Sequence, residues 1–204
     1  MEIKKGNKKQ GIKTMKPDVR YLNDMKKVLY DREWTKTAPN IKLYYMYRGV
    51  KEKNSLRYDI TIIPPLLLGK EFVKTKGHYH NKNYGELYIV LKGEAIYLLQ
   101  KDKKGKIEDV YYVRAKKGDH VLIPPRYGHI TINPCLKELK MANWISKKCK
   151  SDYKRIERKK GGCYYYTKSG WVKNKNYKKV PRLRFKKPKS SFPKNLNFLF
   201  GYEG

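Results

Sequence analysis

The sequence predicts an all-β fold, an antiparallel barrel or double-sheet jelly roll. From Ile41 onward the chain is made of short runs rich in Tyr, Ile, Val and Leu, and the turn signals PP, KGE, DKKGK and KKGD fall between them. Little sequence of helical period separates these runs, so the crossover helices that a parallel sheet requires are missing.

The elements follow in chain order. After a lysine-rich start, Val19, Leu22, Met25 and Leu29 recur at steps of three and four, which predicts one amphipathic helix packed on something larger. The expected strands are IKLYYMY, LRYDITII, ELYIVL, AIYLLQ, DVYYV, HVLI, HITI and KMANWI. Beyond Asp152 the chain becomes more basic, yet CYYYTK and GWVKNKNYKKV read as a strand pair turned at Ser169 and Gly170. Residues 1–187 are expected to form one domain with an N-terminal helical segment. Residues 188–204 are expected to form a basic Pro- and Ser-containing tail, either frayed or an arm that docks Phe198, Leu199 and Phe200.

Composition narrows the function classes. The 204 residues suffice for one domain with a real core, and 50 Lys and Arg against 18 Asp and Glu give a formal net charge of +32. Such a field attracts anions of any kind, from nucleic acid to phosphorylated metabolites, although a solvated lysine-rich surface looks the same. No apolar signal core follows the basic start, and no stretch is long enough to span a bilayer, so a cytoplasmic protein is expected. Cys135, Cys149 and Cys163 fit neither a CxxC metal knuckle nor a disulfide scaffold and are expected to be free thiols.

Scarce imidazoles are concentrated in TKGHYHNKNYGELYIVLKG, which holds two of the chain's four histidines. His78 and His80 stand two apart in an expected strand, so both leave the same face and can converge on one ion. Glu86 opens the next strand, and His129 begins another after a Pro-Pro turn in IPPRYGHITIN. Three imidazoles and a carboxylate suit Fe(II), Mn, Ni, Co or Zn, and the sequence does not choose among them. A lone HxH is more often a pair of hydrogen-bonded strand residues; the combination is what points to a metal. His120 lacks a partner at ligand spacing and is expected to be structural or exposed. Beside this segment, threonine hydroxyls and a glycine backbone N–H are suited to phosphate oxygens, although ordinary strand threonines and a turn glycine would look alike.

HYH, Glu86 and Gly93, followed by Gly118, Pro124, His129 and Asn133, resemble the two motifs of the cupin superfamily, whose small barrel binds a metal through such residues. The loop from His80 to Glu86 is longer than the common pattern. From about Arg20 to Val180, RYLNDMKKV, YDITIIPP, GKEFVKTKGHYH, ELYIVLKGEAIYLLQ, IPPRYGHITIN and SDY together resemble the archaeal cupin-type glucose-6-phosphate isomerases. The resemblance implies a metal-dependent homodimer that interconverts glucose 6-phosphate and fructose 6-phosphate, with one divalent metal per subunit, Fe(II) first among the candidates. It implies His78, His80, Glu86 and His129 as metal ligands, Tyr88 and Tyr153 as active-site tyrosines, and Thr61, Thr75 and Gly77 at the sugar phosphate. Ser151 stands where the family commonly has a histidine, and serine cannot replace imidazole in proton transfer near neutral pH. Glu86 is the acidic residue of the constellation and the candidate base between C1 and C2; a hydride shift that needs no base stays open. The rival readings are another metal-dependent cupin enzyme such as an oxygenase, and a basic nucleic-acid-binding protein in which CYYYTKSGWVKNKNYKK stacks on bases. Specific nucleic-acid binding is not expected.

Overall fold

A computed structural model describes residues 15–103 and 105–201. In chain order the strands are β1 (Asp18–Tyr21), β2 (Lys42–Lys53), β3 (Leu56–Ile63), β4 (Leu67–Leu68), β5 (Glu71–Phe72), β6 (Tyr79–His80), β7 (Glu86–Lys92) and β8 (Glu94–Lys103). They continue with β9 (Lys106–Lys116), β10 (His120–Ile123), β11 (Tyr127–Ile132), β12 (Leu139–Ser146), β13 (Ser151–Asp152), β14 (Tyr164–Thr167), β15 (Gly170–Lys173) and β16 (Arg184–Lys186). All eight apolar runs named above fall on strands, apart from Ile41, which precedes β2. Two sheets face each other in the barrel, one ordered β1-β2-β3-β12-β7-β10 and the other β11-β8-β9-β16. Pairing is antiparallel throughout these sheets except where β16 runs parallel to β9.

The period of two along β8 explains why this strand reads as one continuous apolar run. Ala95, Tyr97 and Leu99 enter the main core between the sheets, with Leu43, Ile63 and Val90 among their companions. Ile96 and Leu98 point the other way, into a second core closed by Cys163, Tyr177 and Val180. Gln100 ties the two layers together. Its Nε2 donates to the hydroxyls of Tyr79 and Tyr177 at 2.8 and 3.1 Å, and its Oε1 accepts the Cys163 N–H at 2.8 Å.

The N-terminal helix is shorter than its periodicity predicts. Val19 lies on β1, opposite Tyr45 of β2, and α-helix is confined to α1 (Leu22–Met25), followed by a 3₁₀ turn over Lys26–Val28. The Tyr21 N–H donates to the Asp24 carboxylate at 2.9 Å and caps this late start. Leu22, Met25, Val28 and Leu29 still reach the core, so the periodic residues are buried although the helix begins three residues later. The other helices are equally short, α2 (Trp34–Thr37) and α3 (Lys154–Arg158). The turn between β14 and β15 falls on Lys168 and Ser169, one residue earlier than expected, and Gly170 at φ +96° opens β15. Here Tyr166 and Trp171 pack on each other at 4.8 Å and join Phe72 and Tyr112 over the second core, so these rings are engaged in packing. Cys135, Cys149 and Cys163 are free thiols, the last two buried. Among the described residues no helix is long and apolar enough to cross a membrane.

Residues 74–80 cross the end of the barrel and set the place of the site. Lys74 bridges Ile132, the Thr75 N–H donates to the Thr131 carbonyl at 2.8 Å, and the Thr131 N–H donates back to Thr75 Oγ1 at 2.9 Å. Three residues further on, the main chains of His78 and His129 exchange hydrogen bonds in both directions, at 3.2 and 3.0 Å. Beneath the start of the crossing, the buried Lys74 ammonium meets the buried Glu71 carboxylate, which also accepts the Tyr30 N–H at 2.5 Å.

Two stability outcomes follow. Thr75→Val keeps the shape but strands the Thr131 N–H, and is expected to cost about 1–3 kcal/mol in urea unfolding, whereas Thr75→Ser keeps the acceptor and costs less. Lys74→Met leaves Glu71 buried and unpaired and is expected to cost about 3–5 kcal/mol, a loss that adding Glu71→Leu partly reverses.

Candidate metal centre and cleft

Short-range chain geometry brings the donors together. His78 and His80 leave the same face of the crossing segment with ring centroids 5.2 Å apart, and the backbone pairing of His78 with His129 sets those two rings 4.5 Å apart. Glu86 enters as the first residue of β7. Its Oε2 lies 3.2 Å from His80 Nε2 and 3.1 Å from His129 Nε2, and one donor atom from each of the four residues falls within 4.8 Å of the others.

This set fits a divalent cation on two observations. His78 Nε2 is buried with no hydrogen-bond partner, and His80 Nε2 and Glu86 Oε2, buried and 3.2 Å apart, form no well-directed hydrogen bond, although buried polar atoms are nearly always bonded. His80 Nδ1 lies 3.0 Å from the Tyr84 carbonyl, which can only accept, so Nδ1 carries the proton and Nε2 turns its lone pair inward. Three imidazoles and one carboxylate suit a divalent transition metal without selecting one.

The electrostatics divide the donors, for burial lowers the His80 imidazole pKa but Glu86 outweighs burial and raises it. Burial, with His129 and His80 close by, holds the His78 imidazole well below its usual pKa and therefore neutral. Burial alone would raise the Glu86 carboxyl, but His129 and His80 outweigh it and hold the carboxyl well below the ordinary range. Tyr88, two residues on and on the same face, is pushed well above the usual phenol value, first by burial and then by Glu86. It stays a neutral phenol, with its hydroxyl 3.2 Å from His129 Nε2.

The cluster lies at the floor of a narrow cleft, and Thr61, Thr75, Gly77, Tyr88, Ser151 and Tyr153 all line it. All nine residues singled out in the sequence are thus brought together here, His80 and His129 beside Glu86 at its base. Tyr153 stands with its ring 5.5 Å from that of His78, and the Arg20 guanidinium and Lys76 ammonium lie 5.7 and 5.5 Å from its centre. Gly77, at φ +77°, turns its Cα against Ile130, where a Cβ would collide. Packing therefore requires this glycine whatever ligand the cleft takes. Ser151 pairs with His80 across β13 and β6 and so borders the cluster. His120 lies outside it, on β10, with its ring edge-on to Phe192.

Sequence reading missed much of the wall. Tyr44, Met46 and Arg48 line the cleft from β2, Arg57 and Asp59 from β3, and Met141, Asn143 and Ile145 from β12. A signal for them was present, because Thr61 on a strand puts Asp59 and Arg57, at steps of two, on its own face. Asp59 is buried and accepts the Gly49 N–H at 2.8 Å and Arg57 Nε at 3.0 Å, with Arg48 at 3.5 Å. It neutralises part of the wall's positive charge and fixes both guanidinium groups.

A family model described as glucose-6-phosphate isomerase (GPI) matches residues 19–182. The glucose-6-phosphate isomerase of Thermococcus litoralis is 34% identical over 128 residues, which are 60% of this chain and 65% of the relative. That of Pyrococcus furiosus is 33% identical over 128 residues, 60% of this chain and 66% of the relative. The matched region thus spans just under two thirds of these curated relatives. Among solved structures, the oxalate decarboxylase of Lactobacillus farciminis in its formate complex superposes with a TM-score of 0.44 at 16% identity, over 55% of this chain and 31% of that one. A superposition that partial carries no argument about chemistry. The match to the family model runs through β1, the crossing segment, all four clustered donors and Tyr153, and the chain belongs to the glucose-6-phosphate isomerase family.

Proposed function

We propose that this chain is a metal-dependent aldose–ketose isomerase that interconverts glucose 6-phosphate and fructose 6-phosphate, with one divalent cation, Fe(II) first among Fe, Mn, Ni, Co and Zn, held by His78, His80, Glu86 and His129. The observation that carries this reading is the convergence of three imidazoles and a carboxylate, with unpartnered donor atoms, at the floor of a cleft walled by threonines and arginines. The family supplies the substrate. A homodimer and a cytoplasmic location belong to the same reading.

A divalent cation held there by His78, His80, Glu86 and His129 would supply Lewis-acid stabilisation of negative charge developing on the substrate, worth several kcal/mol by the usual magnitude. The chain's own groups do the rest. Thr61 and Thr75 bind the phosphate through their hydroxyls at the Gly77 end of the cleft. Because Thr75 Oγ1 already accepts from the Thr131 N–H, its own proton is left to donate to an anion. Arg48 and Arg57, braced by Asp59, hold positive charge beside the path of the substrate, and Tyr153 walls the cleft next to His78. Tyr88, kept protonated, donates a hydrogen bond near the reacting oxygens.

Glu86 carries two assignments that compete. A carboxyl held this far below its ordinary range is a good ligand and a weak base, so the ligand role comes first and proton transfer between C1 and C2 second. Ser151 offers no imidazole to take over the proton, which keeps a direct hydride shift in play.

Purified protein is expected to convert fructose 6-phosphate to glucose 6-phosphate, to lose that activity on chelation, and to recover it with a divalent metal. Turnover unaffected by chelation, or turnover that consumes O₂, would contradict the reading. His80→Ala and His129→Ala are each expected to abolish both metal content and turnover with the barrel still folded. Thr61→Val is expected to raise KM roughly ten- to a hundredfold for fructose 6-phosphate, and much less for fructose, because the lost bond is to a charged acceptor. In D₂O, deuterium at C1 or C2 of the product supports Glu86 as base, and Glu86→Gln then abolishes the exchange.

A further inference from the structure

The family match ends at residue 182, yet the chain beyond it returns to the barrel. Lys189 exchanges main-chain hydrogen bonds with His120 at 2.8 and 2.9 Å, and a 3₁₀ turn then forms over Asn197–Leu199. Leu199 is fully buried in a small apolar cluster with Leu56 and Leu87, backed by Trp144. Leu87 is the residue immediately after Glu86.

This segment grips the loop that joins two of the four donors. The Gly85 N–H donates to the Phe198 carbonyl at 2.7 Å. A Cβ on Gly85 would sit 2.6 Å from the Phe198 ring and 2.9 Å from that carbonyl, so the approach is as close as glycine permits. On the preceding residue, Gly201, at φ +70°, lies flat against the Tyr84 ring, where a Cβ would come within 2.8 Å of Cε1. Tyr84 is the residue whose carbonyl accepts the hydrogen bond from His80 Nδ1, and Gly85 immediately precedes Glu86. The two residues clamped from outside are therefore the ones that orient His80 and launch Glu86.

We propose that residues 196–201 are a positioning clamp for the metal centre, holding the loop from His80 to Glu86 so that His80 Nε2 and the Glu86 carboxylate keep their convergence. None of these residues touches the reacting atoms; they act through Tyr84 and Gly85. The proposal rests on the reading that the four-donor cluster holds a divalent metal. Partners that orient metal ligands typically govern affinity by about 10- to 100-fold, which sets the size of the effect.

The test compares the full-length chain with a chain ending at Asn195, with full-length Leu199→Ala, and with full-length Val180→Ala, which opens a cavity in the second core, where neither Leu199 nor Gly85 packs. Two quantities are read: amide hydrogen exchange at Gly85 in metal-free protein, and the Co²⁺ dissociation constant by chelator competition. In the truncated chain Gly85 is expected to exchange at least about tenfold faster, and Co²⁺ to bind about 10- to 100-fold more weakly. Leu199→Ala should move both in the same direction, and Val180→Ala should move neither. If the truncated chain does not fold, Leu199→Ala carries the decision alone. Unchanged exchange and affinity in the folded variants would overturn the clamp, as would equal losses in Val180→Ala. A full-length chain that takes up no Co²⁺ refutes the metal reading instead, and the Gly85 exchange still decides whether the segment grips the loop.

Discussion

The site depends on one stretch of main-chain pairing, the two hydrogen bonds between His78 and His129. They join residues 51 positions apart in sequence and set their rings 4.5 Å apart. Once that pair is fixed, the two-residue step along the strand delivers His80 to the same face, and β7 delivers Glu86 from the opposite side. The neighbouring bonds between Thr75 and Thr131 continue the same ladder, and Gly77 is the residue that lets it pass over Ile130. The cluster is thus a consequence of backbone register. A one-residue slip between the crossing segment and β11 would turn the imidazoles away from one another.

The cleft above the cluster obeys the same period of two. Tyr44, Met46 and Arg48 on β2, Arg57, Asp59 and Thr61 on β3, Met141, Asn143 and Ile145 on β12, and Glu86 and Tyr88 on β7 form four rows on one face of the six-stranded sheet. Across the ladder Met46 stands opposite Thr61, and Asn143 stands opposite both Asp59 and Tyr88. These rows set Arg48 and Arg57 against Asp59 and Glu86, with hydrogen-bonding groups at Tyr44, Thr61, Tyr88 and Asn143 among Met46, Met141 and Ile145. Hydroxyl, amide and guanidinium groups on such a wall can donate hydrogen bonds to a bound polar ligand.

What the sequence made legible follows from how local each signal is. The strands were readable because apolar runs between turn residues are local patterns, and the donors because HYH and Glu86 lie within nine residues. The first helix was over-read. Steps of three and four placed Val19 on it, but pairing with Tyr45 drew that residue into the sheet, a tertiary contact that periodicity does not register. The cleft wall was under-read because no motif marks Arg48 or Asp59; they belong to the site only through strand pairing. Gly77 was noticed as a residue beside phosphate, whereas its position is already required by contact with Ile130. Of the arm that the tail's apolar cluster suggested, Leu199 is buried and Phe198 packs beside it while Phe200 stays exposed, and the bond from Gly85 to the Phe198 carbonyl, across 113 residues, is the part that no motif marks.

The central claim is that one divalent metal is held by His78, His80, Glu86 and His129. X-ray absorption spectroscopy on Co²⁺-loaded protein measures this most directly, because imidazole ligands add a recognisable outer-shell scattering pattern that can be counted. The account predicts one metal per chain with three imidazoles and a first shell of nitrogen and oxygen, reduced by one imidazole in His129→Ala protein if that variant is forced to load at high Co²⁺. A metal with fewer than two imidazoles, a sulfur ligand, or a spectrum indifferent to His129→Ala would contradict it.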